Sequence, residues 1–65
     1  MPIAHLHILE GRSQEVKSKL ILSVTKSISE SLGTNPEKIR VLIHEIQKEN
    51  WGTGGVAKSE SPNHY

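Results

Sequence analysis

The sequence predicts an α/β fold: one βαβ unit followed by a small C-terminal β-hairpin. Three observations carry that prediction. Residues 3–9, Ile-Ala-His-Leu-His-Ile-Leu, mix β-branched and apolar side chains over the length of a strand; residues 16–32 repeat apolar side chains at the helical period; and residues 39–46, Ile-Arg-Val-Leu-Ile-His-Glu-Ile, form a second β-branched run bounded by turn residues.

In the first strand the two-residue alternation sets His5 and His7 on one face and Ala4, Leu6 and Ile8 on the other. Glu10-Gly11-Arg12 supplies the turn that ends it. Ser13 is a good N-cap, and Glu15 lies in the first helical turn, where the macrodipole favours an anion. Residue 16 is Val rather than Glu or Gln, so the capping box is incomplete. Val16, Leu20, Ile21, Val24, Ile28 and Leu32 then form one stripe at the 3.6-residue period, while Lys17, Lys19, Lys26 and Glu30 fall largely outside it. That stripe is read as core covering the sheet. Gly33 suits a left-handed C-cap, and Asn35-Pro36-Glu37 reads as a brief capped turn with proline at its first position. The second strand follows over 39–46, and the order strand, long helix, strand implies a right-handed crossover and a parallel pair.

Beyond it, Asn50-Trp51-Gly52-Thr53-Gly54-Gly55 is rich in residues that permit unusual backbone angles and leads into Val56-Ala57, which suits a hairpin. The glycines superficially resemble a phosphate cradle, but no helix and no Lys-Ser/Thr ending follows them. Residues 1–58 make a single domain, and residues 59–65 a polar C-terminal tail.

With 65 residues the chain is short for a self-sufficient core, since a domain of this size buries only about 60% of the surface its unfolded form exposes. It has no cysteine, which removes disulfides and the strongest zinc ligands together. Self-association is the remaining supplement. It also suits the fold, because a lone βαβ unit leaves strand edges and a sheet face uncovered; neighbouring copies are expected to extend the parallel pair. Eight Lys plus Arg against seven Asp plus Glu give a net charge of +1, and the lysines are scattered, which argues against a nucleic-acid surface. No apolar run approaches the roughly 20 residues needed to cross a bilayer, and Met-Pro-Ile-Ala-His lacks the features of a signal peptide; a soluble, cytoplasmic protein is expected.

Pro2 and the only two arginines, Arg12 and Arg40, are the candidates for chemistry. If Met1 is removed, Pro2 becomes a secondary amine at the N-terminus. Ordinary α-amino groups titrate near about 7.7–8.0, and burial with nearby cations disfavours the protonated form, leaving a general base. Arginine grips carboxylates in bidentate fashion and stabilises charge on an enolate oxygen, so an amine with two arginines suits proton transfer beside the carbonyl of an acidic substrate without metal or cofactor. Trp51, in the glycine-rich segment, would wall the pocket. The bland readings stand beside these: proline at position two is common, and arginines are usually solvated.

Other groupings are weaker. His5 and His7 share a strand face, but with no Cys or Asp in the chain and His44 remote in sequence they are read as packing or interface residues, with no metal site. His64 lies in the polar tail. Glu10 and Glu45 fall on a turn and a strand and are read as solvated surface groups.

Met-Pro-Ile-Ala at the start, His-Ile-Leu-Glu-Gly-Arg-Ser at 7–13, Ile-Arg-Val at 39–41 and Trp-Gly-Thr-Gly-Gly at 51–55 together closely resemble the 4-oxalocrotonate tautomerase family, in register from Pro2 to about Lys58. The resemblance implies loss of Met1, a βαβ-plus-hairpin subunit and a homohexamer arranged as a trimer of dimers. It implies that Pro2 is the base moving a proton between carbon atoms of a 2-hydroxydienoate and its conjugated 2-oxo acid. Arg12 would hold the distal carboxylate. Arg40 would contact the other carboxylate and the 2-oxygen, and Trp51 stands where the family commonly has phenylalanine. The arginines would reach Pro2 from neighbouring subunits. Two alternatives stay open: haloacrylate dehalogenase or hydratase chemistry, for which the resemblance calls for a glutamate at the position of Thr53, and a noncatalytic oligomeric binding module if Met1 is retained.

Overall fold

The computed structural model describes residues 1–60. Its elements follow the expected order: β1 (Ile3–Leu9), α1 (Gln14–Leu32), a 3-10 turn (Pro36–Lys38), β2 (Arg40–Ile46), a second 3-10 turn (Lys48–Asn50), β3 (Gly52–Thr53), β4 (Val56–Ala57) and a third 3-10 turn (Lys58–Glu60). β1 and β2 pair in parallel, from Ile3 opposite Arg40 to Leu9 opposite Ile46, and β3 and β4 pair antiparallel.

Local chemistry accounts for each boundary. Ser13 caps α1 by accepting from the Val16 N–H through its hydroxyl at 3.3 Å, satisfying one of the donors a helix start leaves without a partner. Gly33 closes the helix in the left-handed region, at φ 66, so that the N–H groups of Gly33 and Thr34 both reach the Ser29 carbonyl, at 2.9 and 3.2 Å. Asn35 caps the next turn through its side-chain oxygen, 2.9 Å from the Glu37 N–H, with Pro36 in the first position as expected. The hairpin turns on Gly54 and Gly55, both at positive φ (61 and 86), the combination that matches the twist of a two-residue loop.

Three details differ from the sequence reading. The second strand begins at Arg40, because the Ile39 N–H is engaged by the Pro36 carbonyl at 3.1 Å and closes the 3-10 turn instead. The Lys48–Asn50 turn was not anticipated; it has no side-chain cap, the usual sequence sign of such a turn. The tail expected over 59–65 begins inside the last 3-10 turn, Lys58–Glu60, and its remainder lies outside the described residues.

The helix packs on one face of the two-stranded sheet. Leu20, Ile21, Val24 and Ile28 of the helix and Ala4, Leu6, Ile8, Val41 and Ile43 of the sheet are half-buried, whereas Val16 and Leu32, at the two ends of the stripe, stay exposed. Glu45 shares that face and remains exposed, as read from the sequence, while its carboxylate accepts from the Lys17 ammonium at 2.9 Å in a helix–strand ion pair. The opposite face carries Ile3, His5, His7, Leu42 and His44, with Ile3 57% and Leu42 43% exposed. Among the described residues only Ile39 is a buried hydrophobic. With one buried apolar side chain among them, the described residues make little core of their own.

Candidate active site

The parallel register brings Pro2 and Arg40 together. Ile3 lies opposite Arg40, and the Arg40 N–H donates to the Pro2 carbonyl at 3.1 Å, so the residue before β1 and the first residue of β2 sit side by side at the amino end of the sheet. Pro2 is half-buried there. The Arg40 side chain is exposed, and its Nη1 donates to the Glu37 carbonyl at 3.0 Å and to the Ile39 carbonyl at 3.5 Å.

Arg12 and Trp51 leave from the other end. Arg12 follows β1, whose seven residues carry the chain about 20 Å from Pro2 at the usual strand rise. It is exposed, and its Nη1 donates to the Leu9 carbonyl at 3.1 Å. Trp51 stands five residues beyond the end of β2. It is half-buried, with its N–H donating to the Lys48 carbonyl at 3.3 Å and its own carbonyl accepting from the Lys58 N–H at 2.8 Å. Within one subunit, then, Pro2 and Arg40 are joined through their backbones and Arg12 lies a strand length away.

The outer sheet face holds a contact that sequence reasoning set aside. His44, far from His5 in sequence, has Nε2 2.9 Å from His5 Nδ1, and its ring stacks on both His5 and His7 with centroids 5.1 and 4.7 Å apart. The register explains it, since His7 lies opposite His44 on the same face. Among the described residues no group of three His, Cys, Asp or Glu side chains is arranged to hold a metal ion. No helix among them is long and apolar enough to cross a membrane.

The family model described as tautomerase enzyme matches residues 2–61. The chain belongs to the tautomerase family. Among curated tautomerases, the 2-hydroxymuconate tautomerase of Comamonas testosteroni is 45% identical over 60 residues, covering 92% of this chain and 95% of that protein. Among solved structures, a 4-oxalocrotonate tautomerase isozyme of Methylibium petroleiphilum superposes with a TM-score of 0.85 at 43% identity, covering 89% of this chain and 94% of that one. A heterohexameric 4-oxalocrotonate tautomerase of Chloroflexus aurantiacus superposes with a TM-score of 0.87 at 27% identity, covering 92% and 97%. The βαβ unit and small hairpin are thus the tautomerase fold, as the sequence resemblance implied.

Proposed function

We propose that this tautomerase is an isomerase of 2-hydroxymuconate type, converting dienols of acidic substrates to conjugated 2-oxo acids with Pro2 as the general base. The observation that carries the reading is the match of the tautomerase family model over residues 2–61, a span that takes in Pro2, Arg12, Arg40 and Trp51. With Met1 removed, the Pro2 nitrogen takes a proton from one position of the substrate and returns it to another carbon. Arg40, reaching the site from a neighbouring subunit, stabilises the negative charge that gathers on the 2-oxygen as the proton leaves. Arg12 binds the distal carboxylate, and Trp51 walls the pocket and limits water. The chemistry asks for no cofactor.

Assembly is part of the reading. Arg12 stands about 20 Å from Pro2 along the strand, and the Arg40 guanidinium is folded back onto the Glu37 and Ile39 carbonyls, so a site containing all of these residues draws both arginines from other copies. The near-absence of a buried core supports the same conclusion, and the Chloroflexus aurantiacus relative is a hexamer. A homohexamer is therefore the form in which activity is expected, in the cytoplasm.

Met1 is 78% exposed, and the reading requires its loss, since a proline amide nitrogen is no base. Intact mass spectrometry combined with a spectrophotometric assay of 2-hydroxymuconate ketonisation tests this. Protein lacking one methionine is expected to turn over the dienol, and a fraction that keeps Met1 is expected to be inactive. Full turnover by the fraction that keeps Met1 would overturn the proposal.

A further inference from the structure

We propose that both arginines are set in advance by backbone tethers, and that Asn35 and Gly11 are the positioning residues that set them. The inference rests on the roles given above to Pro2, Arg12 and Arg40. Its starting point is a shared geometry. Arg40 Nη1 donates to the carbonyl of Glu37 at 3.0 Å, and Arg12 Nη1 donates to the carbonyl of Leu9 at 3.1 Å, so two arginines on different elements fold back to the peptide three residues earlier with the same nitrogen.

A guanidinium carries five N–H donors in a rigid planar fork. Tying Nη1 to main-chain oxygens leaves the edge formed by Nε and Nη2, the two parallel donors that take a carboxylate in bidentate fashion. In Arg40 the anchoring is double, because Nη1 also reaches the Ile39 carbonyl at 3.5 Å. A side chain with four rotatable bonds then meets its ligand with most of its torsions already restricted. Lysine, a point charge with no planar pair of parallel donors, cannot be tied and still take a carboxylate in bidentate fashion.

The anchors are themselves held. The Glu37 carbonyl belongs to the 3-10 turn Pro36–Lys38, in which the Asn35 side-chain oxygen accepts from the Glu37 N–H at 2.9 Å and the Asn35 carbonyl accepts from the Lys38 N–H at 2.9 Å. The Pro36 carbonyl accepts from the Ile39 N–H, and the Arg40 N–H then binds the Pro2 carbonyl, each at 3.1 Å. An unbroken run of bonds therefore leads from the Asn35 cap to the residue that supplies the base. At the other end of the sheet Gly11 makes the turn. Its φ of 125 is one that L side chains rarely adopt, while a Cβ built there meets nothing within 4 Å. The backbone angle that curls Arg12 back over Leu9, and not crowding, is what calls for glycine at this position.

Steady-state kinetics on the assembled protein, with 2-hydroxymuconate as substrate, tests the proposal. Asn35→Ala is expected to lower kcat about tenfold with KM within about twofold, because a misplaced charge-stabilising group costs rate rather than ground-state binding. Asn35→Asp keeps the accepting oxygen and is expected to restore kcat. An Asn35→Ala protein with undiminished kcat, or an Asn35→Asp protein as slow as Asn35→Ala, overturns the tether. Arg40→Ala in the same assay separates the two levels: if it too turns over normally, the reading of the site itself fails, whereas a slow Arg40→Ala beside a normal Asn35→Ala sinks only the tether. Gly11→Ala is expected to raise KM about fivefold for the dicarboxylate and not for a monocarboxylate analogue, and equal KM changes for both substrates would count against the Arg12 half. Should Gly11→Ala fail to fold, the Asn35 pair decides alone.

Discussion

The two ends of the parallel sheet differ in how tightly they are specified. At the amino end, Pro2 and Arg40 are joined by a backbone hydrogen bond, next to Ile39, the one buried apolar residue among the described ones. At the carboxyl end, Arg12 and Trp51 sit on exposed connections and hold their places through bonds to nearby main chain, Leu9 for the arginine and Lys48 and Lys58 for the tryptophan. Placement within a subunit is settled by the ladder at the first end and by loop geometry at the second. In the mechanism proposed above, the first end supplies Pro2 to one site and Arg40 to a neighbouring one, and the second end, also on another copy, recognises the far part of the substrate.

The largest expected effect breaks the amino end. Pro2→Ala replaces the secondary amine while leaving the sheet intact and is expected to reduce kcat by about 10²–10⁴-fold with assembly unchanged by size-exclusion chromatography with light scattering; an active variant would remove the contrast between the ends. Next, Arg40→Ala is expected to lower kcat by about 10²–10³-fold, because it removes a group that acts on charge developed in the transition state. Arg12→Ala sharpens the comparison from the other side. It should leave kcat close to that of the parent and raise KM about tenfold or more for dicarboxylates over monocarboxylates, as loss of a charge-assisted contact implies; similar KM values for both classes would contradict that role. The smallest effect expected is structural. Ser13→Ala removes the cap that sets the helix start just after Arg12 and should cost about 1 kcal/mol in denaturant unfolding, with kcat preserved.

Much of the fold was legible because its signals are local. Ser13, Gly33 and Asn35-Pro36 mark the bounds of a helix and a turn through side chains that bond the adjacent backbone, and the glycine pair at 54–55 marks a hairpin through φ alone. The Lys48–Asn50 turn escaped because no side chain caps it. Ile39 was assigned to the strand on its β-branched side chain, which says nothing about whether its N–H bonds to a neighbouring strand or to Pro36. Of the candidate site, the residue types were readable, and their division between two ends of the sheet followed only from the register. The Lys17–Glu45 ion pair and the His5–His44 contact escaped for a related reason: each joins residues about thirty to forty positions apart, and alternation on a single strand does not say what faces it.

By itself, then, the chain's residue order determined the kind, order and approximate bounds of its elements, because capping, period and turn chemistry act over four or five residues. Which side chains meet was decided only in three dimensions. Pairing Ile3 with Arg40 puts the prospective base beside one arginine and sends the other a strand length away. That outcome depends on the offset between two strands, and the offset is set by how their apolar faces seat under the helix, a sum over many weak contacts that no short stretch of sequence contains.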